Sequence, residues 1–174
     1  DKSAVKPEQM KMLCDELREE FDYAIIDCPA GIEQGFNNAL AGADKAIVIT
    51  TPEVSAVRDA DRVIGLLESK ELHDPKLLIN RLRVDMVKRG EMLSIEDVRD
   101  VLAVDLIGIV PDDERIVVST NKGEPIVTDE KSLAGKAYRN IAQRLDGEEV
   151  PFLKLEEDEG FMFRIRKLLG LKTT

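Results

Sequence analysis

Short apolar runs that alternate with helix patterns constrain the fold of this chain more than any other feature. Four runs end at Asp or Asn or directly before Pro, as expected for strands buried on both faces of a parallel sheet. They span residues 21–27, 45–51, 76–80 and 105–110. Helix patterns lie at 7–20, at 55–69, after a capping-box spacing from Ser94 to Asp97, and at 131–145. This alternation predicts an α/β fold with a doubly wound, mostly parallel sheet.

Polar residues follow the predicted strands, at the edge where parallel α/β sheets bind nucleotides. The candidate residues at this edge are Asp27, Glu53, Asn80, Arg81, Pro111 and Asp113. Each also has a simpler interpretation: Asp27 as a cap, Asn80 as a turn residue, and Asp113 as a solvated helix N-cap. Their occurrence together at four strand ends favours a binding site.

The run that ends at Asp27 carries the strongest chemical signal. Pro29 has no amide donor and Gly31 accepts a positive φ, so the chain must leave the sheet sharply after Asp27. Nucleotide hydrolases place the acid that orders Mg²⁺ in this way, beside a loop that senses phosphate. Cys28 has no histidine near it in sequence, so we do not interpret it as a nucleophile.

Composition excludes several classes of function. The net charge of −10 and the absence of Trp disfavour non-specific binding of nucleic acid. Two cysteines indicate a reduced protein without disulfides, with Cys14 on the apolar face of a helix. The chain has no apolar stretch of about 20 residues, the length that would span a membrane. It begins at Asp1 without Met, and we expect it to be a piece of a longer protein.

The end of the chain differs from the body, which we place at residues 1–150. Residues 151–159 contain an acidic run and predict a solvated linker, whereas residues 160–174 are basic and apolar. As a helix, this tail would gather its apolar residues on one arc, with arginines on both sides, which is typical of shallow insertion into an anionic membrane. The predicted membrane-binding residues are Phe161, Met162, Arg164, Ile165, Arg166, Lys167, Leu168 and Leu169. The alternative is a terminal helix packed on the body.

Several motifs together resemble a known family. They are Asp-Cys-Pro-Ala-Gly-Ile-Glu at 27–33, Thr-Pro-Glu-Val-Ser-Ala-Val-Arg-Asp-Ala-Asp-Arg at 51–62, Asn-Lys-Gly-Glu-Pro at 121–125, and the basic amphipathic end. With them the chain resembles the deviant Walker A (ParA/MinD) family of ATPases over its whole length. It is similar to roughly the C-terminal two-thirds of such a protein.

The resemblance implies a homodimer, dependent on ATP and Mg²⁺, that positions the bacterial division septum. It would work in the cytoplasm and on the cytoplasmic face of the cell membrane, with a MinC-like division inhibitor and a MinE-like regulator as partners. One tail would bind the membrane weakly, and two tails on a dimer would hold far better.

The resemblance also assigns roles to single residues. Asp27 and Gly31 would be catalytic, with Asp27 holding Mg²⁺ through water and the Gly31 amide near the γ-phosphate. The nucleotide-binding residues would be Glu53, Asn80, Arg81, Pro111 and Asp113. Ser55, Arg58, Asp59 and Asp61 would form the surface shared by protein partners.

The chain departs from the family in one large respect. The family's Gly-rich Lys-Gly-Gly-X-Gly-Lys-Thr loop and its switch I Asp do not occur in these 174 residues. Gly135-Lys136 lies inside a helix pattern without a glycine-rich approach. We therefore expect this chain alone neither to bind ATP tightly nor to hydrolyse it. The alternatives are a membrane-tethered interaction module without catalysis, and a ParA-like or flagellum-positioning relative.

Overall fold

A three-stranded parallel sheet forms the centre of the protein. The computed structural model describes residues 5–29 and 31–155. The strands are β1 (Ile47–Thr50), β2 (Lys76–Leu82) and β3 (Asp105–Pro111), in the order β1-β2-β3. All pairs are parallel, with Ile47 opposite Lys76 and Lys76 opposite Asp105. Three of the four predicted strands and the parallel arrangement are confirmed.

Seven α-helices and one short 3-10 helix are found in the described part of the chain. They are α1 (Pro7–Glu20), α2 (Gln34–Gly42), α3 (Val54–Ser69), α4 (Val84–Lys88), α5 (Ile95–Leu102), α6 (Arg115–Lys122), the 3-10 helix Ile126–Thr128 and α7 (Leu133–Leu145). The four predicted helices are confirmed as α1, α3, α5 and α7, whereas α2, α4 and α6 were not predicted. None of the helices in the described ranges is long and apolar enough to cross a membrane.

Helices cover both faces of the sheet, as a doubly wound fold requires. On one face, α3 and α5 pack against Leu77 and Ile79 of β2, whose side chains have no exposed surface. On the other face, α7 packs against Leu78 of β2 and Val110 of β3. Successive residues of β2 therefore enter two separate cores, because side chains alternate across a strand.

The start of α5 shows how local sequence sets an element. Ser94 Oγ accepts a hydrogen bond from the Asp97 amide at 3.0 Å, and Asp97 Oδ2 accepts one from the Ser94 amide at 2.9 Å. These bonds confirm the predicted capping box. The hydrogen bonds from Ser94 also hold the pKa of Asp97 below its ordinary value.

The prediction of a strand at 21–27 is wrong. Residues 21–29 form no strand, and Ile25 at the centre of the apolar run is 96% exposed. A strand needs backbone partners beside it, and none of the three described strands pairs with this segment. Ile47 and Ile49, which share one face of β1, are 41% and 61% exposed in the described part of the chain.

Helices α1 and α2 pack closely as a pair. Cys14 of α1 is buried against Gly42 of α2, where any side chain larger than hydrogen would overlap its sulfur. Phe36 of α2 enters the core that α3 and α5 share. The prediction that Cys14 is a core residue is confirmed.

Two glycines should respond oppositely to the same substitution. Gly65 is exposed in the interior of α3 with open space around it, whereas an added Cβ at Gly108 in β3 would overlap the side chain of Ile141. We expect Gly65→Ala to stabilise the protein by about 0.8 kcal/mol through helix propensity. Gly108→Ala should destabilise it by about 1–3 kcal/mol through overpacking. Urea unfolding of both variants measures the difference, and equal shifts would contradict this account of the packing.

Candidate functional site

The carboxyl ends of the three strands form one edge of the sheet, because the strands are parallel neighbours. The ladder of β2 is interrupted at Asn80 and Arg81 before the strand ends at Leu82, and β3 ends at Pro111. The two ends are joined where the Asp112 amide donates to the Leu82 carbonyl at 3.0 Å. Candidate residues from β2 and β3 thus lie together, at the edge where α/β sheets bind ligands.

Asn80 and Arg81 form an irregular corner at the end of β2. The pairing register of β2 with β3 shifts between Ile79 and Leu82, so the two intervening residues leave the ladder. Arg81 has a φ of +58°, which lies in the left-handed region that residues other than glycine rarely adopt. Asn80 Oδ1 accepts from the Arg81 amide at 3.0 Å and stabilises the corner. Backbone strain of this kind clusters at functional sites.

The Arg81 side chain reaches across to the end of β3. Its Nε lies 3.5 Å from Asp112 Oδ1, and both side chains are accessible to solvent. An exposed ion pair contributes little to stability. A planar guanidinium at this edge is also suited to stacking on a base.

A cavity of about 410 Å³ opens beside the end of β3. Its lining consists of Pro111, Asp112, Asp113, Glu114, Arg115, Lys131 and Leu133. Arg115 and Lys131 were not identified from the sequence, which contains no local signal that brings residues 115 and 131 together. Arg115 Nη1 donates to Asp129 at 2.9 Å, and the Lys131 amide donates to the same carboxylate at 2.9 Å.

The Asp113 carboxylate joins the end of β3 to the N-terminal ends of α6 and α7 by hydrogen bonds. Its Oδ2 accepts from Ser132 Oγ at 2.6 Å, and its Oδ1 accepts from the Arg115 amide at 2.9 Å. Ser132 is 1% exposed and caps α7 by accepting from the Gly135 amide at 2.9 Å. Burial alone would raise the pKa of Asp113, but these hydrogen bonds outweigh it and keep the pKa below the ordinary value. Its side chain is thus committed to internal partners.

Glu53 stands at the turn between β1 and α3. The Glu53 amide donates to the Thr51 carbonyl at 2.8 Å, and the Glu53 carbonyl accepts from the Val57 amide at 2.9 Å. The neighbouring Pro52 is fully buried, and its carbonyl accepts from the Leu93 amide at 3.2 Å. The backbone is therefore fixed, while the Glu53 side chain is exposed and makes no capping bond to α3.

The loop after Asp27 follows the sequence prediction in part. Gly31 has a φ of +95°, which confirms the prediction that this glycine adopts a positive φ. The Pro29 ring lies against Gly35 in the first turn of α2. Asp27 itself is exposed and does not stand at the tip of a strand, because residues 21–29 form none. Partial desolvation, followed by the Asp27 charge, raises the pKa of the Cys28 thiol, which disfavours a thiolate nucleophile.

The predicted partner residues lie on one exposed side of α3. Its buried side consists of Val57, Ala60, Ile64 and Leu67. Ser55, Arg58, Asp59 and Asp61 are all exposed. Arg62 Nη1 approaches Asp59 at 3.9 Å on this surface. The helix therefore presents a charged face to solvent and an apolar face to the core.

Two further predictions concern the rest of the chain. Gly135-Lys136 lies inside α7, as predicted, with Lys136 exposed. Gly135 is buried against the Ile126 carbonyl, so packing explains the glycine. The predicted membrane-binding residues, Phe161, Met162, Arg164, Ile165, Arg166, Lys167, Leu168 and Leu169, lie outside the described residues.

Removal of the Asp113 carboxylate should be costly. Asp113→Ala leaves the buried Ser132 hydroxyl without its acceptor, and we expect a loss of about 1–3 kcal/mol in the free energy of unfolding near neutral pH. Since the pKa of Asp113 is lowered in the folded state, its contribution is present above the unfolded pKa of about 3.9 and fades as pH falls through the lower folded value. Urea unfolding at several pH values measures both effects.

Asp112→Ala is the matched control, since this neighbouring carboxylate is exposed and paired only with Arg81. We expect a change within about 0.5 kcal/mol. Equal destabilisation by the two variants, or a loss for Asp113→Ala that does not shrink toward low pH, would show that Asp113 does not hold this edge.

Known proteins resemble the chain in sequence. The family model "ParA: NUBPL iron-transfer P-loop NTPase" matches residues 2–146. The septum site-determining protein MinD of Bacillus subtilis is 54% identical over 99% of this chain. The protein of the same name from Synechocystis is 56% identical over 97% of this chain. The chain spans 65% of the length of each of these relatives.

Solved structures resemble it in fold. A MinC:MinD cell division protein complex from Aquifex aeolicus matches with 47% identity and a TM-score of 0.83, over 86% of this chain and 63% of the other. MinD complexed with Mg-ADP from Pyrococcus horikoshii matches with 27% identity and a TM-score of 0.70, over 80% and 56%. On the family match over most of its length, the chain belongs to the ParA/MinD family of P-loop NTPases.

Proposed function

We propose that this chain is the base-binding and partner-binding portion of an ATPase that positions the bacterial division septum. The observation that carries the proposal is the match to two septum site-determining proteins over 97–99% of the chain. The Gly-rich lysine loop that supplies most phosphate binding in this family does not occur in the sequence. The chain by itself would therefore contribute to nucleotide binding without hydrolysing ATP.

The sheet edge is suited to an adenine base. Asn80 and Arg81 leave the ladder of β2 beside the cavity that borders Pro111 and Asp113. The Asn80 amide would hydrogen-bond the base and the Arg81 guanidinium would stack on it. Because the Asp113 carboxylate is committed to Ser132, this residue would contribute through its backbone. Glu53 would meet nucleotide across a dimer, since its carboxylate is exposed.

The described residues suit a Mg²⁺ ion that would be bound by one protein carboxylate together with the phosphates of a nucleotide. Within the described ranges, no group of three or more His, Cys, Asp or Glu side chains could hold a metal ion. Mg²⁺ usually takes one or two carboxylates and keeps water and phosphate ligands. The exposed carboxylate of Asp27 would meet that need, and the Gly31 amide in the adjoining turn would donate to the γ-phosphate. When bound, the ion would neutralise charge on the phosphate oxygens.

The charged face of α3 would bind the protein partners. A MinC-type division inhibitor is the first of these, because a solved relative is a MinC:MinD complex. A MinE-type regulator would use the same surface. The exposed positions of Ser55, Arg58, Asp59 and Asp61 support this role. A homodimer formed with ATP would carry two such surfaces and two tails.

Reversal of charge on α3 should weaken binding to MinC. We expect Asp59→Lys to lower the affinity for Aquifex aeolicus MinC about tenfold, roughly 1.4 kcal/mol, because the charge lies on the proposed surface. Surface plasmon resonance with immobilised MinC measures it. Asp100→Lys makes the same change at an exposed site on α5 and should leave the affinity unchanged. No binding by the unsubstituted chain, or equal loss in both variants, would contradict the partner surface.

The tail should attach the protein to anionic membranes on their cytoplasmic side. We expect the full chain to co-sediment with vesicles that contain phosphatidylglycerol, because each basic residue contributes about 1 kcal/mol near an anionic surface. A chain that ends at residue 159 should stay in the supernatant, and phosphatidylcholine vesicles should retain neither form. Equal pelleting of the two forms would refute membrane binding by the tail.

A further inference from the structure

Arg144, near the end of α7, makes hydrogen bonds that none of the roles above uses. Its Nε donates to the Val150 carbonyl at 2.8 Å, and its Nη2 donates to the Pro151 carbonyl at 2.9 Å. Its guanidinium carbon lies 4.3 Å from the centre of the Phe152 ring. One side chain thus holds three consecutive residues of the segment that follows α7.

The same guanidinium is also bonded to the sheet. Its Nη1 donates to the Ile107 carbonyl at 2.9 Å. Ile107 is the extra residue of a bulge, since Leu77 pairs with Leu106 and Leu78 pairs with Gly108. A bulged residue falls out of the ladder, and its polar groups need another partner. Arg144 supplies a charged donor there, and charge-assisted bonds are among the stronger ones.

Packing continues beyond the hydrogen bonds. Leu153 is partly buried against the core that α7 forms with β3. Arg144 is itself half-buried, and desolvation lowers the pKa of its guanidinium, which nevertheless stays charged. Residues 150–153 are therefore part of the body, although the sequence pattern placed 151–153 in a solvated linker.

We propose that Arg144 is a positioning residue that clamps residues 150–153 to β3 and α7 and so fixes where the C-terminal tail leaves the body. The role of the tail on the membrane rests on the function proposed above, whereas the clamp itself does not. With the clamp closed, the chain is held to the body as far as Leu153. Without it, the last hold is at Glu148, whose amide donates to the Gln143 carbonyl at 2.9 Å. The five released residues, 149–153, would add a root-mean-square span of roughly 12 Å between the body and the tail.

A longer tether changes how two tails on a dimer cooperate. The effective concentration of the second tail falls with about the −3/2 power of tether length, so release of residues 149–153 lowers it. Arg144 would thereby set the strength of membrane attachment without contacting lipid. Lysine could not replace it, because an ammonium group does not present the fork that reaches three carbonyls.

Limited proteolysis of the full chain tests the clamp. Endoproteinase Lys-C cuts after Lys154, which adjoins the clamped residues, and cleavage there tracks the open population. We expect the fragment that begins at Leu155 to form about tenfold faster in Arg144→Ala than in the unsubstituted chain. Arg99→Ala, which removes the same charge at an exposed site on α5, is the matched control and should be unchanged. Phe152→Ala keeps all three hydrogen bonds and should show a smaller increase. Equal cleavage in all forms would overturn the proposal.

A second readout separates positioning from a purely structural role. A donor dye on the exposed Cys28, with an acceptor at the surface of phosphatidylglycerol vesicles, reports the distance of the body from the membrane. Energy transfer, measured well below the melting temperature of each form, should fall in Arg144→Ala. Unchanged transfer with faster cleavage would overturn the positioning role. If the unsubstituted chain does not bind vesicles, the proposed membrane function fails, while faster cleavage in Arg144→Ala still supports the clamp.

Discussion

The hydrogen-bonded pairing of β2 with its two neighbours is the interaction on which the described structure depends. Leu77 and Ile79 enter the core shared with α3 and α5, while Leu78 enters the core shared with α7. Both helical layers are therefore anchored to the same strand. The strand then continues into the irregular corner at Asn80 and Arg81, so the pairing that builds the two cores also places the candidate base-binding residues.

The hydrophobic pattern was sufficient for elements that pair or pack with other described elements. The three confirmed strands each have a neighbour in the sheet, and α3, α5 and α7 each have a face to cover. The run at 21–27 has the same composition but pairs with none of the described strands, so composition alone did not make it a strand. Helix α2 was missed for the opposite reason. Gly35 and Asn38 are poor helix formers, and the helix forms because Phe36 and Gly42 pack against other elements.

The candidate site was predictable in its location and less so in its chemistry. Parallel strands bring their carboxyl ends together, so the positions of Asn80, Arg81 and Pro111 followed from the strand pattern. The left-handed backbone of Arg81 has no signature in the sequence. Neither does the bond between Asp113 and Ser132, which joins residues 19 positions apart. Asp113 could be read from the sequence as a ligand or as a cap, and only the fold shows its internal partners.

The brevity of the connection between β1 and α3 has a mechanical consequence. Only Thr51, Pro52 and Glu53 separate the strand from the helix, and Pro52 is buried with its carbonyl bonded to Leu93. A connection this short allows little independent movement of the strand and the helix. The end of β1 and the first turn of α3 would therefore move together, so a displacement at the sheet edge would also displace the exposed charged side chains of α3.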